Sequence, residues 1–161
     1  MIKDSGERRE FETGAIRDIC EGKGRCDLLP LDVVCKLLPK YDPVLTDIGA
    51  FINYGTEGNL LDAIIHFCMD DRTNYQDIYD LLLDVSVQFE EGAVKYGESN
   101  WRKGIPTHCY IDSAIRHYLK FLRGDTDESH DRAFVWNLMC CVWTCRFMPN
   151  LKEYPISEID G

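Results

Sequence analysis

Apolar residues in the second half of the chain recur at helical spacing. After Asn74 they follow one another at alternating steps of four and three, at Ile78, Leu82, Val85, Phe89, Gly92 and Tyr96. Such steps place side chains on one face of a helix with 3.6 residues per turn. Asn74 and Asp77 are typical of an N-cap, and Gly97 is typical of a helix end. The pattern predicts an amphipathic helix that buries this stripe.

A second helix is predicted from Thr107, its candidate cap, to about Arg123. One side of it is apolar. Asp112, Arg116 and Lys120 lie four residues apart along another side. A stripe of charged side chains at this spacing is predicted to face water or a ligand.

Residues 133–143 are apolar nearly all round, which predicts that a last helix, capped by Asp127, lies at the centre of the core. Asn137 interrupts this run. A buried carboxamide must find hydrogen-bond partners or cost about 1 to 3 kcal/mol. Asn137 therefore either ties helices together or contacts a bound base, and the same two interpretations apply to Trp101 in the polar linker 97–106.

The first half of the chain gives weaker signals. Residues 30–38, 43–51 and 59–68 each have helical patterns, whereas residues 1–29 interleave glycines with charges and lack periodicity. No segment alternates convincingly as a strand. These patterns predict an all-α fold, a compact helical bundle with an irregular N-terminal arm. The 161 residues are predicted to form a single domain, with the site on the core helices of residues 74–147.

The formal net charge of -10, without any block of Lys and Arg, argues against a partner that is a nucleic acid polymer. A nucleotide is not excluded, because a divalent cation can lie between protein carboxylates and a triphosphate. The charged N-terminus and the absence of an apolar run of roughly 20 residues predict no membrane partner and a cytoplasmic location.

Eight cysteines are present, and none forms a C-x-x-C pair. Without a recognisable export signal, this pattern favours free thiols in a reducing compartment. A zinc-stabilised interaction domain is a weaker alternative, because structural zinc sites usually show paired cysteines.

Acidic residues provide the candidate metal chemistry. Glu128 and Asp131 are three residues apart, so within one helix they would share a face and could hold a hard cation such as Mg²⁺ together with its waters. One such water is a candidate nucleophile. The alternative is that acids in a first helical turn only offset the helix dipole. Likewise Arg116, His117 and Lys120 are either a solvated face or part of a site.

Several linked motifs resemble one family. They are Gly14-Ala-Ile-Arg17-Asp18, Gly92-Ala-Val-Lys95-Tyr96-Gly97 with Asn100-Trp101, Asp112-Ser-Ala-Ile-Arg116-His117, and Leu122-Arg123-Gly124-Asp125 followed by His130, Ala133, Trp136 and Asn137. The chain is similar to the phage and bacterial dATP/dGTP diphosphohydrolases, which are grouped with the MazG-like all-α pyrophosphohydrolases. The resemblance implies hydrolysis of dATP, dGTP or both to the monophosphate and pyrophosphate, with Mg²⁺, or Mn²⁺ in its place, as cofactor.

The resemblance also implies roles for individual residues. The metal ligands are expected to be Glu91, Glu128 and Asp131, with His130 or His117 as a further ligand or as the group that orients the water. Phosphate and catalytic contacts are assigned to Lys95, Arg116 and Lys120. The nucleoside is assigned to Asn100, Trp101 and Asn137, and the arm residues Lys23 and Arg25 are expected to close over the substrate.

Members of the MazG-like group pair helices across subunits, so a homo-oligomer, at least a dimer, is expected. If the chain is phage-encoded, its location would be the host cytoplasm. The alternative function is a non-catalytic helical module that sequesters a nucleotide or a protein through the exposed stripe of the Asp112 helix.

Overall fold

Six α-helices and one short hairpin form the part of the chain that the structure, a computed structural model, describes: residues 5–156. The helices are α1 (Leu31–Leu37), α2 (Pro43–Tyr54), α3 (Gly58–Cys68), α4 (Ile78–Tyr96), α5 (Thr107–Arg123) and α6 (His130–Phe147). The antiparallel hairpin pairs β1 (Arg8–Glu10) with β2 (Ile16–Asp18). The all-α class predicted from helical periodicity is confirmed.

Helix α6 lies at the centre of the bundle and packs against α3, α4 and, most extensively, α5. Its buried residues include Phe134, Val135 and Leu138, so the prediction of a central last helix is confirmed. Phe67 of α3 forms edge contacts with Phe134 and Tyr118, with ring centroids 4.8 and 5.9 Å apart. Among the described residues no helix, α6 included, is both long and apolar enough to cross a membrane.

Helix α4 buries only part of the stripe that its spacing predicts. Val85 is buried and Phe89 packs partly buried against the core, whereas Ile78 and Leu82 are 38% and 45% exposed. The prediction is confirmed for the middle of the stripe and was wrong for its first turn, because α4 carries apolar residues on two faces, and periodicity alone does not decide which face meets the core. The second apolar face is left uncovered within residues 5–156.

Helix α6 begins two residues later than a cap at Asp127 predicts. Its first residue is His130, and the preceding Ser129 makes no side-chain cap. The carboxylate of Asp127, the predicted cap, lies 2.7 Å from the ring of His130. Glu128 therefore precedes the helix, so the prediction that Glu128 and Asp131 share one helical face was wrong.

The arm is not wholly irregular, since it contains the β1–β2 hairpin. Each strand has three residues, too few for an alternating pattern to be recognised in the sequence. Asn100 holds the hairpin against the bundle: its carboxamide accepts from the Ile16 amide and donates to the Ile16 carbonyl, both at 2.7 Å. A tertiary contact thus stabilises a hairpin that is too short to be stable alone.

Thr107 was expected to cap α5 but is its first residue, after Pro106. Its hydroxyl donates to the Leu151 carbonyl and accepts from the Glu153 amide. Glu153 in turn accepts from the His108 amide at 3.0 Å, so the C-terminal segment supplies the cap. A cap from 45 residues away is not visible in local sequence.

A buried hydrogen bond between Tyr118 and Asp42 joins α5 to the start of α2. The hydroxyl donates to one carboxylate oxygen at 2.5 Å, and the other oxygen accepts from the Leu45 amide as the N-cap of α2. Burial, with Asp42 beside it, raises the pKa of Tyr118 well above its ordinary value, so the hydroxyl remains a donor.

Replacing Tyr118 by Phe should lower the free energy of unfolding by about 1 to 3 kcal/mol, because it leaves a buried carboxylate oxygen of Asp42 without its donor. Urea unfolding followed by circular dichroism measures the change. The matched control is Tyr54→Phe, at a position 74% exposed, which should change stability by less than about 0.5 kcal/mol. Equal effects of the two substitutions would contradict this account.

Candidate functional site

A cavity of about 810 Å³ lies between the hairpin, the second half of α4, α5 and α6. This volume is in the range of small-molecule binding sites. Ile16, Arg17 and Asp18 of β2 form one side. Short steps of three or four residues along each helix bring several side chains of α4, α5 and α6 to the same space.

The cavity is cationic although the chain is acidic. Six Lys and Arg residues line it against four Asp and Glu residues, in a chain with a net charge of -10. The cations are Arg9, Arg17, Lys23, Lys95, Arg116 and Lys120, and the acids are Asp18, Glu90, Glu98 and Glu128. A concave surface with this local excess of positive charge favours an anionic ligand.

Four buried donors around the cavity have no hydrogen-bond acceptor within residues 5–156. They are Nε of Arg9, Nη1 of Arg17, Nε of Arg116 and Nε1 of Trp136. A buried donor without an acceptor costs about 1 to 3 kcal/mol. The four donors are consistent with a ligand rich in acceptor oxygens.

Arg17 is fixed by contacts with two helices. Its Nη2 donates to the Ser113 hydroxyl of α5 at 3.1 Å and to the Asn137 carboxamide oxygen of α6 at 3.2 Å. The guanidinium also lies over the rings of Tyr110 and Trp136, 5.3 and 5.9 Å from their centroids. These contacts hold a cation of the arm at the cavity wall.

Asn137 forms a structural tie, one of its two predicted roles, and its contact with a bound base stays a prediction. Its Nδ2 donates to the Ala133 carbonyl one turn earlier, and its Oδ1 accepts from Arg17. Asn137 also lines the cavity, where it joins α6 to β2 through Arg17. Asn100 likewise uses both the oxygen and the nitrogen of its carboxamide in hydrogen bonds to the backbone of Ile16.

Aromatic rings form the apolar wall of the cavity. Phe89 contacts Trp101 and Trp136, with centroids 5.6 and 5.8 Å apart, and all three residues line the cavity. Trp101 also contacts Trp143 at 5.0 Å. The cavity therefore offers flat apolar surface beside fixed positive charge.

Arg116 contributes both to the cavity and to its rim. Its Nη2 donates to both oxygens of Asp112, at 2.8 and 2.7 Å, and to the Gly24 carbonyl of the arm at 2.7 Å. Asp112 also accepts from the Cys26 amide and is buried. The predicted stripe of the Asp112 helix is thus partly covered by the arm, because Asp112 and Arg116 bind its backbone.

Two histidines meet at the α5–α6 edge of the cavity. Nδ1 of His117 lies 2.8 Å from Nδ1 of His130, and Nε2 of His130 lies 2.7 Å from the carboxylate of Asp127. Burial, and then the neighbouring His130, lower the pKa of His117 to about 3. His117 is therefore neutral at pH 7.

The three expected metal ligands do not form one cluster. Glu91 accepts a hydrogen bond from Arg132 at 2.8 Å, and only Glu128 of the three lines the cavity. Within residues 5–156, no group of three or more clustered His, Cys, Asp or Glu ligands contains Glu91 or Asp131. The set Glu91, Glu128 and Asp131 therefore does not fit a shared Mg²⁺ ion in this arrangement, which brings Glu128 near His117 and His130 instead.

Of the expected site residues, nine line the cavity: Lys23, Lys95, Asn100, Trp101, Arg116, His117, Lys120, Glu128 and Asn137. His130 lies behind His117, Asp131 and Glu91 lie outside the cavity, and Arg25 forms an ion pair with Asp27 at 2.7 Å. The structure brings most of the set together. The catalytic and binding roles of all these residues stay predictions.

Sequence reasoning missed Arg9, Arg17 and Trp136 as cavity residues. Arg17 and Trp136 occur in the motifs that indicate the family, which was the available signal. Arg9 gave no sequence signal, because its position in β1 depends on the pairing of β1 with β2.

The family model for dATP/dGTP diphosphohydrolase, N-terminal, matches residues 72–152, just over half of the chain. The chain belongs to this dATP/dGTP diphosphohydrolase family. The match confirms the resemblance that the motifs indicated. No curated protein and no solved structure matches the chain. The diphosphohydrolase match spans α4, α5 and α6 and most of the cavity, whereas Arg9 and Arg17 of the hairpin lie outside it.

Asn100→Ala should loosen the hairpin of this diphosphohydrolase-family chain. It removes two hydrogen bonds to Ile16, each worth about 0.5 to 1.5 kcal/mol, so amide exchange at Ile16 should accelerate by about 5- to 150-fold. Hydrogen exchange followed by mass spectrometry or NMR measures the change. The control is Asn74→Ala, at an exposed position, which should leave Ile16 unchanged. Unchanged exchange in Asn100→Ala would show that the hairpin is held otherwise.

Proposed function

We propose that this chain hydrolyses a deoxynucleoside triphosphate, dATP or dGTP or both, to the monophosphate and pyrophosphate. The observation that carries the proposal is the cationic cavity with an aromatic wall in an acidic chain. Its six cations suit a triphosphate, and its aromatic rings suit a base. Membership of the dATP/dGTP diphosphohydrolase family supports the same substrate class.

The triphosphate is assigned to the cations that α5 and β2 present, Arg17, Arg116 and Lys120. Arg17 and Arg116 each have a buried nitrogen without an acceptor within the described part of the chain. Phosphate oxygens would supply these acceptors and form short, charge-assisted hydrogen bonds. The nucleoside is assigned to the wall of Phe89, Trp101 and Trp136, where an apolar face can stack on a base.

The reaction consumes one water. Its oxygen bonds to the α-phosphorus, the bond between that phosphorus and the oxygen bridging to the β-phosphate breaks, pyrophosphate leaves, and one proton of the water passes to solvent. Positive side chains stabilise the charge that develops on the phosphate oxygens. Because its pKa is lowered to about 3, His117 is neutral and keeps a ring lone pair that can position the water or bind the ion that activates it.

The proposal includes a requirement for a divalent cation, Mg²⁺ or Mn²⁺. Such an ion would neutralise phosphate charge and activate water. Glu91 and Asp131 do not cluster with Glu128, so these three carboxylates would not hold one ion together.

Turnover of dATP or dGTP in the presence of Mg²⁺ or Mn²⁺ should yield equal amounts of monophosphate and pyrophosphate, measured by ion-exchange chromatography. Removal of the metal with EDTA should abolish it. Lys120→Met should lower kcat/KM by about 10- to 150-fold, as expected for one charge-assisted contact of about 1.5 to 3 kcal/mol. Lys40→Met, at an exposed position outside the cavity, is the control.

Release of orthophosphate instead of pyrophosphate would contradict the proposed bond cleavage. Tight nucleotide binding without turnover of any triphosphate would favour the alternative, a non-catalytic nucleotide-binding module. Equal activity of Lys120→Met and the control would remove Lys120 from the site.

We also propose that the chain forms a homo-oligomer through α4. The uncovered face of this helix exposes Tyr79, Leu83 and Val94 by 72%, 71% and 87%. Large apolar side chains at one surface are typical of interfaces, and an isologous contact lets the same face pair with itself.

Sedimentation velocity should therefore give a dimer or a larger species for the wild type. Leu83→Glu should shift it toward the monomer, because the substitution buries a charge in the proposed interface. Val33→Glu, on exposed α1, is the matched control and should not change the mass. A monomeric wild type at micromolar concentration would contradict the proposal.

A further inference from the structure

The two histidines and Glu128 form a cluster whose geometry matches a metal site. One ligand atom from each of His117, Glu128 and His130 lies within 4.8 Å of the others. The two Nδ1 atoms are only 2.8 Å apart. Ligand atoms that share one ion at about 2.0 to 2.2 Å are separated by about 3.0 to 3.5 Å. An ion would therefore displace the proton of the hydrogen bond that joins the two rings, with little movement of either nitrogen.

Asp127 orients His130 for this role. Nε2 of His130 lies 2.7 Å from the Asp127 carboxylate, and the ring tautomer that donates from Nε2 has its lone pair on Nδ1. A carboxylate that accepts from the far nitrogen is the usual second partner of a metal-binding histidine. The side chain of His130 is 1% exposed, so its ring orientation is fixed by packing as well.

We propose that His117, Glu128 and His130 bind a single transition-metal dication, of the Mn²⁺, Co²⁺ or Zn²⁺ type, at the α5–α6 edge of the cavity. The proposal assigns a different ligand set from Glu91, Glu128 and Asp131. It deepens the proposed function, on which it rests only for the biological use of the ion. His117 and Glu128 both line the cavity, so an ion there would be within reach of a phosphate.

The donor set decides the class of metal. Two imidazoles and one carboxylate suit Mn²⁺, Co²⁺ and Zn²⁺, whereas Mg²⁺ prefers oxygen ligands and keeps its waters. Arg17, Arg116 and Lys120 are close enough to His117 to act on it electrostatically. Their charge opposes a dication, so binding must rely on direct coordination, which is stronger for transition metals than for Mg²⁺.

A second cluster, Asp125, Asp127 and His130, shares one histidine with this site. It is the weaker candidate. Asp125 already accepts from Arg123 at 2.8 Å, and Asp125 and Asp127 do not line the cavity. Binding there would depend on Asp125 and not on His117, so variants separate the two clusters.

The experiment is isothermal titration of the metal-free protein with ZnCl₂, MnCl₂ and MgCl₂ in the absence of nucleotide. We expect a single ion per chain for Zn²⁺ and Mn²⁺, with Zn²⁺ the tighter, and affinity for Mg²⁺ lower by about tenfold or more. Bound Co²⁺ should give a visible absorption spectrum that reports nitrogen ligands. Equal affinity for Mg²⁺ and Zn²⁺, or no bound ion, would overturn the proposal.

Variants identify the ligands. His117→Ala and Glu128→Gln should weaken Zn²⁺ binding by about 100-fold or more, and Asp127→Asn by about 10- to 100-fold. The controls are Asp125→Asn and His66→Ala. His66 lies on α3, and its ring pairs with Asp47 of α2 at 2.6 Å. Neither control should change the affinity. Wild-type affinity in His117→Ala or Glu128→Gln would overturn the assignment, and loss of binding in Asp125→Asn would place the ion at the other cluster.

Circular dichroism and thermal unfolding in EDTA check that each variant folds. Glu128→Gln has nearly the same shape as the wild type, and Glu128 precedes α6, so this variant keeps the test decisive if His117→Ala unfolds. Metal binding without triphosphate turnover would leave the site in place and remove the proposed hydrolysis. Mg²⁺-dependent turnover that persists in His117→Ala, with no Zn²⁺ bound to the wild type, would support the proposed hydrolysis and exclude the proposed metal site.

Discussion

The anchoring of Arg17 is the contact on which the cavity depends. Its guanidinium joins β2 to Ser113 of α5 and to Asn137 of α6, and it lies over two aromatic rings. A planar group with several donors can make all these contacts at once, whereas a lysine ammonium cannot. The anchoring turns a three-residue strand into one wall of the cavity and places a fixed positive charge there.

Contacts made by carboxylates elsewhere in the fold explain how an acidic chain forms a cationic cavity. Several carboxylates are used to position backbone or cations: Asp112 binds the Cys26 amide and Arg116, and Asp42 caps α2 and receives the Tyr118 hydroxyl. Because these acids are committed elsewhere, the lining keeps a local excess of Lys and Arg. Net charge describes the average surface, but a ligand responds to the local field.

The α5–α6 edge holds the ionisable cavity groups whose positions do not depend on the hairpin, two histidines and two acids. Packing of these two helices brings His117 against His130, and the start of α6 at His130 leaves Asp127 and Glu128 on the preceding segment. One of these acids orients a histidine and the other lines the cavity. The edge lies within the part of the chain that matches the dATP/dGTP diphosphohydrolase family, whereas Arg17 comes from outside that match.

The sequence by itself determined the helices and the family, because helical periodicity, glycine stops and short motifs are local properties. It also named nine of the residues that line the cavity. Only the tertiary structure decided which apolar face of α4 is buried, that Asn100 and Asn137 tie the hairpin to the bundle, and that Glu128 lies near two histidines and not beside Asp131 on a helix. Those outcomes depend on contacts between residues far apart in the chain, and a helix boundary shifted by two residues is enough to redirect a side chain.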